Sequence, residues 1–363
     1  MNVPIRNVYQ LLLYAWNHLG AGEEASLAAE EPRYLHDLFA QVLADTVSRL
    51  ISRGLDRGYV EVGDTLAGLR GRMDLGAMLK RGLLGSGRTH CHFDELRHDV
   101  PHNRIVKATL RSLLALELDE AVGGRVRRLV RTMNTVADVR VSRRDFSRVQ
   151  LHRNNRVYDF ALRLCRLIHE NLMVDPTTGH AAFRDFRADQ RRMGTLFEAF
   201  VYRFYAREQT YFRVSRPKIK WRDPVGAEPA LAMLPEMHTD VVLRSPERRI
   251  IVETKFYAEP FSGRYGAKKL RSDHLYQILA YLRNRPRPGP AGPVEEGMLL
   301  YPVVKQVFTF DYELNGHHVA VRSIDLDQPW PFIYRDMLAL VEDPLPPSSL
   351  AVAEAGNGAT ALS

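Results

Sequence analysis

At 363 residues and 45% hydrophobic content, the chain is long enough for two domains, each with its own apolar core. A formal net charge of +8 favours a polyanionic partner, nucleic acid first, although arginine-rich composition alone decides little. The two cysteines, Cys91 and Cys165, do not make a zinc framework and no signal-peptide pattern opens the chain. A reduced, cytoplasmic protein is therefore expected, and the apolar run Leu11 to Leu13 is far too short to span a membrane.

Ile5 to Trp16 has helical periodicity with aromatic residues on one side. Leu35, Leu38, Phe39, Val42, Leu43, Val47, Leu50 and Ile51 predict a second amphipathic helix over residues 35–55, packed against the first. From Tyr59 to Phe93 the period shortens and glycines accumulate, so short strands joined by glycine turns are expected, as a small barrel or a projecting hairpin. Gly85-Ser86-Gly87-Arg88 is followed by neither Gly-Lys-Ser/Thr nor a helix start, which argues against a nucleotide site in this chain. His90, Cys91, His92, His98 and His102 lack metal-site spacing, because adjacent strand positions face opposite ways.

Asn103 stands where it can cap the helix that follows Pro101. A basic helix is predicted from Val122 to Met133, with Arg125, Arg127, Arg128 and Arg131 read as solvated, and another from Phe160 to Leu172. Asp175-Pro176-Thr177-Thr178-Gly179 is the clearest break and sets the domain boundary near residue 180. Beyond it, Leu196, Phe197, Phe200, Val201 and Phe204 form the buried stripe of a helix from Met193 to Ala206. Glu198 on that helix is read as solvated, a place in a metal shell being the alternative.

Two β-branched and aromatic runs follow, 239–243 and 250–257, separated by Ser245-Pro246-Glu247-Arg248. This is a β-hairpin with a four-residue loop, since proline suits the second position of a type I turn. A loop centred between Pro246 and Glu247 sets Asp240 directly opposite Glu253, with Cβ atoms about 4.5–5.5 Å apart. Two carboxylates that close repel unless a cation lies between them. Alternation puts Lys255 on the face of Glu253, while Thr254 points the other way. One face thus carries two acids and an ammonium, the set a Mg²⁺-dependent phosphodiesterase needs. The metal takes one or two carboxylates and water, and the ammonium steadies the attacking water and the added negative charge. A surface network of Glu and Lys is the bland reading of the same residues.

The stretch from Phe256 to Leu270 reads as a loop rich in aromatic and basic residues. Arg264, Lys268, Lys269 and Arg271 follow the acids closely enough to clamp a phosphate backbone. On the next helix, Leu275 to Leu282, Gln277 and Tyr281 are one turn apart and share a face, where they can hold a phosphate or orient a water. Strands at 297–302 and 307–310 and a helix near 330–341 close the second domain. Beyond Pro344-Leu345-Pro346-Pro347-Ser348-Ser349 the residues are small and low in complexity, and this tail is expected to be disordered.

The order Asp240, Glu253-Thr254-Lys255, Gln277, Tyr281 resembles the PD-(D/E)XK nuclease motif in its RecB-like form. With Val3 to Tyr9, Leu13 to Trp16, Gly71-Arg72, Phe93 to Leu96, Asn103 to Leu110 and Leu275 to Gln277, the resemblance widens to the McrC family along almost the whole chain. It implies an α+β protein of two domains: an N-terminal helical and small-β docking domain over residues 1–180, and a restriction-endonuclease-like mixed sheet flanked by helices over 181–345, with a tail over 346–363. It further implies a Mg²⁺-dependent DNA endonuclease subunit of a methylcytosine-dependent restriction complex. The partner would be an McrB-like hexameric AAA+ GTPase that binds the GTP and is stimulated by this chain. Carried over, Asp240 and Glu253 match the metal-binding acids, with Thr254 counted beside them, and Lys255 matches the catalytic lysine. A stand-alone RecB-like nuclease and a non-catalytic activator of a GTPase are the other two readings.

Overall fold

The computed structural model describes residues 1–19, 32–151, 155–174, 181–257, 259–262, 269–285 and 292–342. The break at Asp175 to Gly179 and the tail after Ser349 lie outside these residues. The chain divides into two compact units, Met1–Phe200 and Val201–Ser363. The division falls inside a helix, whereas the sequence places a boundary near residue 180.

The first unit begins with α1 (Ile5–Trp16), which stops where Asn17 takes φ 59°, a left-handed conformation asparagine tolerates. Next come α2 (Leu35–Ser52), β1 (Gly58–Leu66), β2 (Arg72–Met73), α3 (Leu75–Lys80) and β3 (Thr89–Arg97). The strands form one antiparallel sheet in the order β1-β3-β2, so the glycine-rich region is a small three-stranded sheet with α3 inserted. Gly71 is required at its edge, because φ is +68° and a Cβ would lie 2.3 Å from the His92 carbonyl oxygen. Then follow α4 (Pro101–Leu113), α5 (Glu120–Thr132), α6 (Arg143–Arg148), α7 (Arg156–Asn171), β4 (Leu172–Val174), β5 (Ala181–Phe183) and α8 (Gln190–Glu208).

Two local expectations change here. Asn103 does not cap α4: Pro101, preset for a first helical turn, starts the helix after Val100. Asn103 is instead fully buried, donating to the carbonyls of Asp56 and His98 and accepting from Tyr158 Oη at 2.7 Å. Arg125 is only partly solvated, since it pairs with Asp45 on α2 and lies 3.3 Å from Ser48 Oγ, while Arg127, Arg128 and Arg131 are exposed.

The second unit adds β6 (Arg213–Ser215), β7 (Lys218–Ile219), α9 (Glu228–Leu231), β8 (Met237–His238), β9 (Val241–Arg244), β10 (Arg248–Thr254), β11 (Phe261–Ser262), β12 (Lys269–Leu270), α10 (Ser272–Asn284), β13 (Val294–Val303), β14 (Thr309–Leu314), β15 (His317–Asp325) and α11 (Trp330–Glu342). Six strands form a mixed sheet in the order β14-β15-β13-β10-β9-β6. Pairs β10–β13 and β13–β15 are parallel, and α10 is the crossover the first of these requires. The sheet buries Val242, Ile251, Leu299, Val319 and Val321 against Ile278, Tyr281 and Leu282 of α10. Alternate residues Ile250, Val252 and Leu300 are buried as well, so both faces are covered. Arg248, on the Ile250 side, donates to the Val341 carbonyl at the end of α11 and forks onto Glu296 of β13 at 2.9 and 3.1 Å.

The β9–β10 hairpin has the predicted register: Arg244 opposite Arg249, then Leu243–Ile250, Val242–Ile251 and Val241–Val252. Ser245 organises the turn, its Oγ accepting from Glu247 N and Arg248 N while its own N–H donates to the Arg248 carbonyl. The ladder ends one pair short of the expected Asp240–Glu253 contact. Asp240 stands just outside β9 and accepts from Thr254 rather than facing Glu253 across the ladder.

Candidate active site

Strand β10 brings Glu253 and Thr254 to its C-terminal end, with Lys255 next. The period of two puts Glu253 and Lys255 on the side of Ile251, which packs against α10. Lys255 Nζ donates to Glu253 Oε1 at 2.7 Å and to Gln277 Oε1 at 2.7 Å. Gln277 Nε2 donates to Tyr281 Oη at 2.7 Å, and that hydroxyl donates to the His238 carbonyl at 2.8 Å. A continuous line of hydrogen bonds therefore runs from β10 across α10 to β8. Asp240 Oδ2 accepts from Thr254 N at 2.8 Å and from Thr254 Oγ1 at 2.6 Å. The acid thus takes the N–H that a longer β9 would have paired, and its direction is fixed by two donors.

Burial and charge shape this cluster. The side chains of Glu253 and Lys255 are 5% and 12% exposed, and desolvating such a pair contributes little to stability, so it is better explained by chemistry than by folding. Burial pushes the Tyr281 hydroxyl up to about 12, and the charges of Glu253 and Asp240 push the same way. Both carboxylates are thus close enough to act on one phenol, which stays protonated and keeps its donor role. Two carboxylates offer hard oxygen donors that suit Mg²⁺, which keeps several waters. Among the described residues no group of three or more His, Cys, Asp and Glu could hold a metal, so the two carboxylates would be joined by water rather than by further such side chains.

A family model described as the McrBC 5-methylcytosine restriction system component matches residues 6–302. The chain belongs to this family. It is similar, at 32% identity over 343 residues, to the Escherichia coli (strain K12) protein described as the Type IV methyl-directed restriction enzyme EcoKMcrBC, with 94% of this chain and 98% of that protein covered. Its fold is similar to a chain of the Thermococcus gammatolerans half-complex described as McrB AAA+ hexamers with bound McrC. That likeness has a TM-score of 0.58 at 18% identity and covers 93% of this chain and 76% of that one.

In this McrBC-family chain Asp240, Glu253, Thr254, Lys255, Gln277 and Tyr281 come together. Thr254 takes part as a donor to Asp240, its hydroxyl being engaged there. Lys269 is exposed on β12, opposite Ser262. Arg271 precedes α10, its guanidinium carbon 4.9 Å from the Tyr257 ring centre and its Nε 3.6 Å from Asp273 Oδ1. Arg264 and Lys268 lie outside the described residues. Glu198 is half-buried on α8, in the first unit.

One neighbour of the cluster was not read from the sequence. His274, 2% exposed, shares a hydrogen bond of 2.7 Å between Nδ1 and Tyr301 Oη. Burial, and next the Lys255 charge, lower its pKa to about 4, so it is neutral at physiological pH. Its spacing of three from Gln277 on one helix was the available signal. Of the histidines weighed as metal ligands, His92 Nε2 lies 3.2 Å from Asp74 and His102 Nε2 3.2 Å from Asp56. Among the described residues no helix is long and apolar enough to cross a membrane.

Proposed function

We propose that the chain is the DNA-cleaving subunit of a McrBC-type restriction complex, a Mg²⁺-dependent endonuclease of the PD-(D/E)XK kind acting with an AAA+ GTPase hexamer. The observation that carries this reading is the line Glu253–Lys255–Gln277–Tyr281 beside a fixed Asp240, at the C-terminal end of a central strand. Asp240 and Glu253 would hold the metal, which when bound supplies Lewis acidity and offsets charge building on the scissile phosphate. Lys255 holds its ammonium beside that phosphate and steadies the attacking water. Gln277 aims Lys255, and Tyr281 holds Gln277 in register by accepting a hydrogen bond from its amide N–H. Thr254 keeps one oxygen of Asp240 turned inward and leaves Oδ1 for the metal. Family membership and the likeness to a McrBC-system protein support the assignment of partner and substrate.

The test is cleavage of methylated DNA with Mg²⁺, GTP and the partner hexamer. Asp240→Asn and Lys255→Ala should each lose cutting by at least about a hundredfold, in the range of lost charge stabilisation at a reacting centre, while EDTA abolishes it in the unaltered chain. Cutting at the original rate by either folded variant removes the site assignment.

A further inference from the structure

Beside the hydrogen-bonded cluster, at the C-terminal end of α10, lies a groove of about 620 Å³ whose polar and aromatic lining is Lys218, Lys220, Trp221, Arg222, Asp223, Asn284 and Arg285. It is built from the same elements as the site. Lys218 pairs in the β7–β8 ladder with His238, whose carbonyl receives Tyr281 Oη, and the Thr239 hydroxyl donates to the Pro217 carbonyl at 2.9 Å. Asn284 ties the segment to α10, its Oδ1 accepting from Arg222 N at 2.8 Å and its Nδ2 donating to Ala280 O at 2.8 Å.

The groove combines cations with an aromatic ring. Glu236 offsets Lys218 at 2.5 Å, Asp223 lies 3.4 Å from Arg222, and Glu295 is shared between Arg249 and Arg285. Four cationic side chains thus outnumber their acidic neighbours, so the groove attracts polyanions. Trp221 is 39% exposed, and its Nε1–H donates to the Pro235 carbonyl at 2.8 Å. The polar edge is tied down, and the ring is held in one orientation at the groove.

We propose that this groove binds an unpaired DNA strand next to the scissile phosphate, with the cations on successive phosphates and Trp221 stacked on a base. A ring among cations favours single strands over duplex, because in a duplex the base faces are already stacked on each other. The seven residues from Gln277 to Asn284 rise about 10 Å along α10. That separation keeps the groove within a short run of nucleotides of the cutting site. The inference rests on the nuclease reading for the choice of DNA as the polyanion, and it adds a single-stranded segment to what that site handles.

The experiment is metal-free binding of the full chain, in EDTA, to a fluorescein-labelled 12-nucleotide oligothymidine and to a 12-base-pair duplex. Trp221→Ala should bind the single strand on the order of tenfold more weakly, as loss of one stacked base does, with duplex binding unchanged. Trp221→Phe should retain most of the single-strand affinity. Lys220→Ala/Arg222→Ala should flatten the salt dependence by about 1.4 in the log–log slope, about 0.7 per lost phosphate contact. Unchanged single-strand binding by Trp221→Ala, or equal losses on both probes, overturns the proposal. Asp240→Asn assayed in parallel keeps the two readings apart: if it still cuts with Mg²⁺, the active-site assignment fails while the binding result judges the groove on its own.

Discussion

Glu253 and Lys255 pair at 2.7 Å, and both are almost sealed from water. Removing only the acid leaves a buried ammonium whose neutral partner, Gln277, cannot balance it. Glu253→Ala should therefore lower unfolding free energy by about 3 kcal/mol, typical of a broken buried pair. Glu253→Ala combined with Lys255→Ala should recover much of that loss, and urea unfolding of the two single variants and the double variant measures the coupling. Additive losses would mean the pair is not coupled in solution. His274 sets a pH dependence of opposite origin. Its pKa falls from 6.5 to about 4 on folding, so between those values the unfolded chain binds the extra proton. The contribution to stability is full above about pH 6.5 and drains as pH falls toward 4. His274→Gln should flatten the stability profile in that window, and urea midpoints at several pH values would reveal parallel curves if the histidine plays no such part.

Helix α10 carries Gln277 and Tyr281 to the site, and its distance from the sheet is set at Gly297 of β13. A Cβ at that position would lie 2.7 Å from Ile278 Cγ1 and 3.0 Å from Leu282 Cδ1. Ile278 is β-branched and fully buried, so it has little room to turn aside. Gly297→Ala should push α10 outward, cost about 1–3 kcal/mol of stability as overpacking does, and reduce cleavage by more than its stability loss explains, because Lys255 would lose its second partner. Calorimetry alongside single-turnover cleavage separates the two effects. Normal cutting by a destabilised but folded protein would show that α10 tolerates the displacement.

At the scale of the whole chain, each unit exposes some large apolar side chains. In the first, Leu69, Leu75, Leu79 and Leu84 are 61–71% exposed on α3 and the loops beside it. Exposed apolar side chains grouped in one module mark a surface that meets another protein. Arg72, 79% exposed with only a 3.4 Å contact to Glu61, is the more available arginine there, since Arg70 lies 4.1 Å over the Phe93 ring. Arg72→Ala, and Leu75→Ser with Leu79→Ser, should lower stimulation of the partner's GTPase severalfold. Asp240→Ala, in the second unit, should stimulate normally. GTP turnover by the partner hexamer with each variant titrated in decides this. Full stimulation by the α3 variants would move the docking surface elsewhere.

The parts legible in the sequence are those governed by neighbours along the chain. Turn chemistry at Ser245-Pro246-Glu247-Arg248 and alternation along the strands were enough for the register of β9 on β10, and helical spacing was enough to put Gln277 and Tyr281 on one face. Contacts between distant segments were not legible. The partner of Lys255 is 22 residues away, and that of Asn103 is 55 residues away. Strand β15 was missed although the Asn315-Gly316 turn, with φ of 55° and 73°, announces a hairpin with β14; only its place between β13 and β14 was decided by distant contacts. Asp240 shows both sides of the division. Its place in the motif came from the order of residues, but where its carboxylate points was decided by the end of the β9 ladder, where an unpaired Thr254 N–H was left for a side chain to satisfy.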